Sequence, residues 1–433
     1  MNSLCSSWRW MILLSKASLS FFALGLFKAM GVFIPYLVDD LGASVAAIGT
    51  ATGIYGSLCS VLAPLASALT PYGPRRLVII GGAVMAIGTM GAAASTNSLH
   101  LTLWLALSST GGSFVNVSAF KPLMDYFPES FATVNGISFA AGTVGMMALP
   151  PIAEWLIGLY GWRAALFLLG TATFNVCVFG ALLRPCSAKS CSSTRYQKLH
   201  HEDEVSAAEK VRDDDGAVGA ISRKCEACNG FLLERFDPKM FITEPRFSLF
   251  QLPSFVMGAV YSGWQLFLVP HSVALGYDSQ TSSFLSTFGG LGSLVGRLTS
   301  GFLTDRDLIK PMDLFILACL LCGVSCLIDP LAVSSLPALA GLATAVGLAI
   351  GYTYPLTFVI TRDLVGEDER QMAALGWLYL FAGAGQIFGG TISGWTYDVT
   401  SDYEIVFMMY GGLSLLVIPV MLAIRFTGVC CPT

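Results

Sequence analysis

Apolar residues run in long stretches along most of the chain, with polar residues gathered into short connections between them. The stretches predict helices over 10–37, 44–69, 77–95, 99–123, 132–156, 162–183, 247–273, 281–303, 311–329, 333–359, 372–394 and 403–425. A bilayer core of ~30 Å takes about 20 apolar residues to cross as a helix. Backbone amides in lipid must pair within the chain, so a spanning segment is a helix or part of a closed barrel. The stretches lack the ten-residue alternation of barrel strands. The expected fold is therefore an all-α integral membrane protein with twelve spans.

One connection stands apart. Residues 184–246 are polar, with runs such as His200-His201-Glu202-Asp203-Glu204 and Asp213-Asp214-Asp215. Mixed charge and few aromatics predict a largely disordered linker. It divides the chain into a six-helix bundle over 1–183 and a second over 247–433 that ends in a short tail.

Composition agrees with this reading: 54% of the 433 residues are hydrophobic and 12% charged, with a mean hydropathy of +0.68. A soluble domain carries about 25% charged residues. The first apolar run, from about Trp10 to Leu37, is too long for the core of a cleavable signal peptide. Basic residues then set the orientation. Arg9, Arg75, Arg76, Arg306, Lys310, Arg362, Arg370, Arg425 and the basic residues of the linker fall on one side, and only Arg163 on the other. Both termini and the linker are expected in the cytosol. Asp39, Asp40, Glu154, Asp278, Asp329, Asp398, Asp402 and Glu404 are placed at the opposite face.

No expected outer loop carries a cysteine, so no disulfide framework is predicted. Cys225-x-x-Cys228 has no second half and is discounted as a zinc site. Cys430 and Cys431, just past the last helix, are either palmitoylation sites or free thiols. No phosphate-binding loop, hydrolase constellation, cofactor site or nucleic-acid-binding feature is found, so the chain is not read as an enzyme or an ATP-driven pump.

The two halves echo each other. Thr70-Pro71-Tyr72-Gly73-Pro74-Arg75-Arg76 follows helix 2, and Gly301-Phe302-Leu303-Thr304-Asp305-Arg306 follows helix 8. Both resemble the loop motif of the major facilitator superfamily, which clamps helix ends by hydrogen bonds and a carboxylate-to-arginine pair. The first copy lacks the acidic residue. Lys28-Ala29-Met30-Gly31-Val32-Phe33, Gly161-Trp162-Arg163, Ala181-Leu182-Leu183-Arg184-Pro185, Leu294-Val295-Gly296-Arg297 and Ser393-Gly394-Trp395-Thr396-Tyr397-Asp398 are similar to segments of the monocarboxylate transporter family. The resemblance implies two pseudo-symmetric bundles around a midplane cavity, alternating access and a small carboxylate cargo. Some members of that family need a single-span glycoprotein to reach the cell surface, a partner this sequence leaves open. Three departures matter. Ser7-Trp8-Arg9-Trp10 replaces the acidic signature before helix 1, and Pro128-Glu129-Ser130 replaces basic residues before helix 5. Ser293 stands where proton-coupled members carry an aspartate.

Four basic residues fall inside predicted helices: Lys16, Lys28, Lys121 and Arg297. A charge at mid-bilayer costs at least ~2.5–3.5 kcal/mol. Lys16 and Lys121 lie near cytosolic helix ends and are expected to snorkel. Lys28 lies deep in helix 1 and is expected to face the cavity, the alternative being a structural ion pair. Ser282, Ser286, Gly289, Ser293, Arg297 and Ser300 share one helical face. That face packs against a neighbouring helix or binds cargo, and its arginine can clasp a carboxylate through two parallel hydrogen bonds. Ser293 cannot titrate usefully, so weak or absent proton coupling through helix 8 is expected. Softer cavity candidates are Asn116 in helix 4, with Ser109, Gly112 and Ser113, and Asn135 in helix 5, with Ser138. Tyr261, Gln265, Tyr352 and Tyr354 complete the set, each of which can equally be a packing residue. Arg75, Arg76, Asp305 and Arg306 are the candidate gating residues. The expected function is secondary transport of a small monocarboxylate or related organic anion or zwitterion across the plasma membrane. The alternatives are a carrier for sugars, drugs, amino-acid-like or amine-bearing solutes, and a non-transporting sensor.

Overall fold

The computed structural model describes residues 3–184, 236–332, 335–366 and 370–430. Most of the polar linker, with Cys225-x-x-Cys228, falls outside the described residues, as does Cys431.

The first half comprises α1 (Ser3–Leu41), α2 (Val45–Val61), α3 (Ala63–Leu69), α4 (Pro74–Ala92), α5 (Ser98–Ser118), α6 (Phe120–Tyr126), α7 (Phe131–Thr173) and α8 (Asn175–Leu182). The second comprises α9 (Met240–Thr243), α10 (Pro245–Ala274), α11 (Ser279–Asp305), α12 (Pro311–Ala332), α13 (Leu336–Val365), α14 (Gln371–Thr400) and α15 (Tyr403–Cys430). Nine helical stretches among the described residues are long and apolar enough to cross a membrane. One of them, Phe131–Leu182, is broken at Gly161, whose φ of 78° and ψ of 164° suit a residue without a Cβ. Two further long helical stretches, Ser98–Tyr126 and Ser279–Asp305, are richer in Ser, Thr and Gly and fall outside the nine.

Expected helix ends mostly agree with the structure to within a few residues. The larger differences are an earlier start of α1, at Ser3, later ends of α13 and α14, at Val365 and Thr400, and a change before the second half. Instead of linker up to residue 246, Met240–Thr243 forms a short helix, and Trp377 Nε1 donates to the Phe236 carbonyl at 2.8 Å.

The packing of the two halves differs between the ends of the molecule. At one end lie Arg75, Arg76, Asp305, Arg306 and Arg362, and we call it the basic end. There a single apolar cluster joins the halves and includes Phe120 and Phe139 of the first with Phe358 and Leu375 of the second. Toward the other end the cores are separate. Leu26, Phe33, Leu149 and Leu166 belong to one, and Val260, Trp264, Ile350 and Phe407 to the other. Close contact between α7 and α11 draws the basic end shut. A methyl on Gly136 would collide with the Arg297 carbonyl, and one on Gly301 with the Thr133 backbone. The Asp305 carboxylate accepts from the Thr133 and Ala132 amides at 2.6 and 3.3 Å, capping the start of α7 across the interface. The carboxylate-to-arginine pair expected of this motif does not form among the described residues; Arg306 instead lies 4.1 Å from the Phe302 ring centroid. Arg75 and Arg76 open α4 and are exposed.

At the far end Arg163 pairs with Asp40 at 2.7 Å and donates to the Ala93 and Ser95 carbonyls, tying α7 to the ends of α1 and α4. This explains how the lone basic residue of that face is accommodated.

Candidate solute passage

Five rings close the passage where the apolar cluster joins the halves. Phe120 of α6 and Phe139 of α7 come from the first half; Tyr354 and Phe358 of α13 and Tyr379 of α14 come from the second. Phe120 stacks on Phe358 with centroids 5.0 Å apart, Phe139 meets Tyr354 edge-on at 5.0 Å, and Phe358 meets Tyr379 at 5.1 Å. Beside this plug a small cavity of about 30 Å³ is lined by Ser60, Tyr261, Thr353, Tyr354, Tyr379 and Gln386, with Met257, Ile350 and Phe358 among its apolar walls. Its walls offer hydroxyl and amide groups and no charge.

Arg297 lies behind Tyr354. It is 1% exposed. Its Nη1 donates to the Phe139 carbonyl at 2.9 Å, and its guanidinium carbon is 5.3 Å from the Tyr354 ring centroid. Its Nε has no hydrogen-bond partner. Guanidinium has five N–H donors, and no carboxylate of the described residues approaches it. The arginine is therefore a buried cation held by one carbonyl and a ring face, at the seam between halves.

The other candidates divide. Tyr261 and Tyr354 line the cavity and approach each other at 5.7 Å. Asn135 crosses the seam, its Nδ2 donating to the Pro355 carbonyl at 3.2 Å while its Oδ1 is buried without a partner. Asn116 donates to Cys59 Sγ at 3.6 Å. Lys28 is exposed in the far-end half of α1, with no ion pair among the described residues. Tyr352 accepts from Thr299 at 3.1 Å and serves the contact between α11 and α13. Ser293 belongs to the same contact, since a methyl on Gly351 would stand 2.5 Å from its carbonyl oxygen. The small-residue face of α11 thus packs on α13, while its arginine reaches the seam. Gln265 is half-buried and has no partner among the described residues.

Two expectations are corrected. Lys16 does not snorkel: it is 1% exposed, donates to the Asn116 carbonyl at 3.2 Å and lies 4.1 Å from the Phe120 centroid. α1 begins at Ser3, so Lys16 sits more than three turns inside it and points at α5 and α6. The only sequence signal is its i, i+4 relation to Ser20, also buried. Lys121 does reach the surface and pairs with Asp125 at 3.2 Å. Second, Asp329 is not at a surface face. α12 continues to Ala332, so Asp329 is buried inside it and meets His271 Nε2 at 2.7 Å, with Phe407 stacked on the imidazole at 4.5 Å. This interior carboxylate already has its partner and leaves Arg297 and Lys28 without one.

A sequence profile described as Major Facilitator Superfamily matches residues 17–328 and 254–428. The chain is similar to monocarboxylate transporter 13 of Rattus norvegicus, 28% identical over 418 residues that cover 94% of this chain and 87% of that protein. It is 30% identical to monocarboxylate transporter 12-B of Danio rerio over 346 residues, covering 78% and 70% of the two. Among solved structures, the proton:xylose symporter XylE superposes with a TM-score of 0.68 at 15% identity, each chain covered to 96%. FucP, in an outward conformation, superposes with a TM-score of 0.65. These likenesses show the fold, an all-helical major facilitator architecture. Profile, relatives and fold agree, and the chain belongs to the monocarboxylate transporter family of the major facilitator superfamily.

Proposed function

We propose that this carrier moves a small monocarboxylate or related organic solute by rocking two six-helix bundles, 1–183 and 247–433, around a central site. Twelve spans follow from counting the break at Gly161 as a boundary and adding the two more polar helices. The positive-inside rule places the basic end, both termini and the linker in the cytosol of a cell bounded by the plasma membrane. On that placement the conformation described is closed to the cytosol and parted toward the outside.

The observation that carries the reading is Arg297, buried at the seam with no carboxylate partner among the described residues. Removing a charge from water is unfavourable unless a partner compensates, and an anionic cargo supplies that partner when the plug parts. Lys28, exposed in the outer half, attracts the same group on entry. Neutral Ser293 stands one turn from Arg297, so no protein carboxylate is placed to gain a proton there, and helix 8 gives weak or no proton coupling.

A second reading draws on the cavity walls. They combine tyrosine, serine, threonine and glutamine with Met257, Ile350, Phe358 and Leu378 and carry no charge, with the arginine screened by Tyr354, and such a lining also suits an amine-bearing or other neutral organic solute.

Uptake of labelled L-lactate, pyruvate and a set of amino-acid-like amines into proteoliposomes, with and without a pH gradient, separates these. We expect carboxylate uptake that falls at least tenfold in Arg297→Ala, as loss of a charge-assisted contact implies, and that responds little to the gradient. Carboxylate uptake undiminished in Arg297→Ala would sink the binding role. Uptake of amines alone would favour the second reading.

A further inference from the structure

Lys16 is the other buried basic residue of the passage, and it stands on the opposite half from Arg297. Its amine touches one carbonyl, that of Asn116, and one ring face, that of Phe120. An ammonium has three donors. One carbonyl and one ring do not replace a full hydration shell, and no carboxylate of the described residues approaches it. Lys16 therefore weakens the fold that holds it, and a structural role does not account for it.

Its neighbours place it against the moving parts. Phe120, which covers the amine, is the ring that stacks on Phe358 of the other half. Asn116 and Cys59, both half-buried, continue from it: Lys16 donates to the Asn116 carbonyl, and Asn116 Nδ2 in turn donates to Cys59 Sγ at 3.6 Å. Phe120 thus touches both the amine and a ring of the opposite half, so separating Phe120 from Phe358 would free the ring that covers Lys16.

We propose that Lys16 is a further anion-binding residue of the passage, contributed by the first half opposite Arg297. It is screened by Phe120 in the conformation seen here and presented to the cargo's negative end when the basic end opens. The two halves then each hold one cation against the seam, and an anion between them is gripped from both sides. The proposal rests on the carrier reading above, but its test does not need the cargo.

Cys59 is a native reporter beside the amine. Inside-out membrane vesicles carrying the full chain are treated with a sulfonate-bearing and a trimethylammonium-bearing methanethiosulfonate, and modification of Cys59 is followed by peptide mass spectrometry. A positive charge within a few ångströms should favour the anionic reagent by about tenfold. Lys16→Met should abolish that preference and Lys16→Arg should keep it. Lys16→Gln, which retains a donor for the Asn116 carbonyl, serves if the methionine variant does not fold. An unchanged preference in the neutral variants, or a Cys59 never reached from the basic-end side, overturns the proposal. Failure of the carrier reading shows separately, as absence of solute uptake in the same preparations.

Discussion

Single buried polar groups in this bundle have two kinds of setting. The His271–Asp329 pair satisfies itself: 2.7 Å apart, both side chains under 10% exposed, with Phe407 stacked on the ring. Its removal should behave as a stability defect. Asp329→Ala leaves His271 buried without its partner, which costs about 1–3 kcal/mol. The double variant with His271→Ala should lose less than the sum of the singles. Thermal unfolding in detergent measures both, and strict additivity would mean the two groups do not interact. Lys16 and Arg297 are the other kind, cations with one carbonyl and a ring each. Arg297 was legible because its stripe of serines and glycines repeats at helical spacing and has an arginine in its midst. Lys16 was not. Position along a helix tells how far a side chain is from the end, whereas burial depends on the neighbour it meets, here Asn116 and Phe120, a hundred residues away.

At the scale of elements, apolar length sets out most of the long helices, and the break at Gly161 falls between two helices expected at 132–156 and 162–183. Ends were harder. The apolar run of α12 predicts a helix end at Asp329, yet Pro330 and two further residues stay helical. The contact between α11 and α13 engages only part of the predicted face: Ser293 touches Gly351, while one turn on Arg297 crosses to Phe139. The cap that Asp305 gives to α7 joins elements of opposite halves. Asp305→Ala should cost this closed end about 0.5–2 kcal/mol, shifting the balance toward opening at the basic end by roughly 2- to 30-fold. With Lys28→Cys as a reporter, an impermeant thiol reagent applied at the far end should label the variant more slowly. Equal or faster labelling would mean the cap does not hold the closed end.

For the whole molecule, the joined cluster at one end and the divided cores at the other describe a two-bundle carrier caught in one of its conformations. Parting the five rings forfeits several edge and stacked contacts, each worth about 0.5–1.5 kcal/mol. In the proposed cycle an empty carrier has nothing to put in their place, whereas a loaded one would meet the exposed rings, Lys16 and Arg297 with its cargo. Reorientation with freight aboard should therefore outrun the vacant return stroke. Tracer leaving preloaded proteoliposomes should speed up several-fold when unlabelled solute is supplied outside, and equal rates with and without it would show that the aromatic seam is no barrier to the homeward trip.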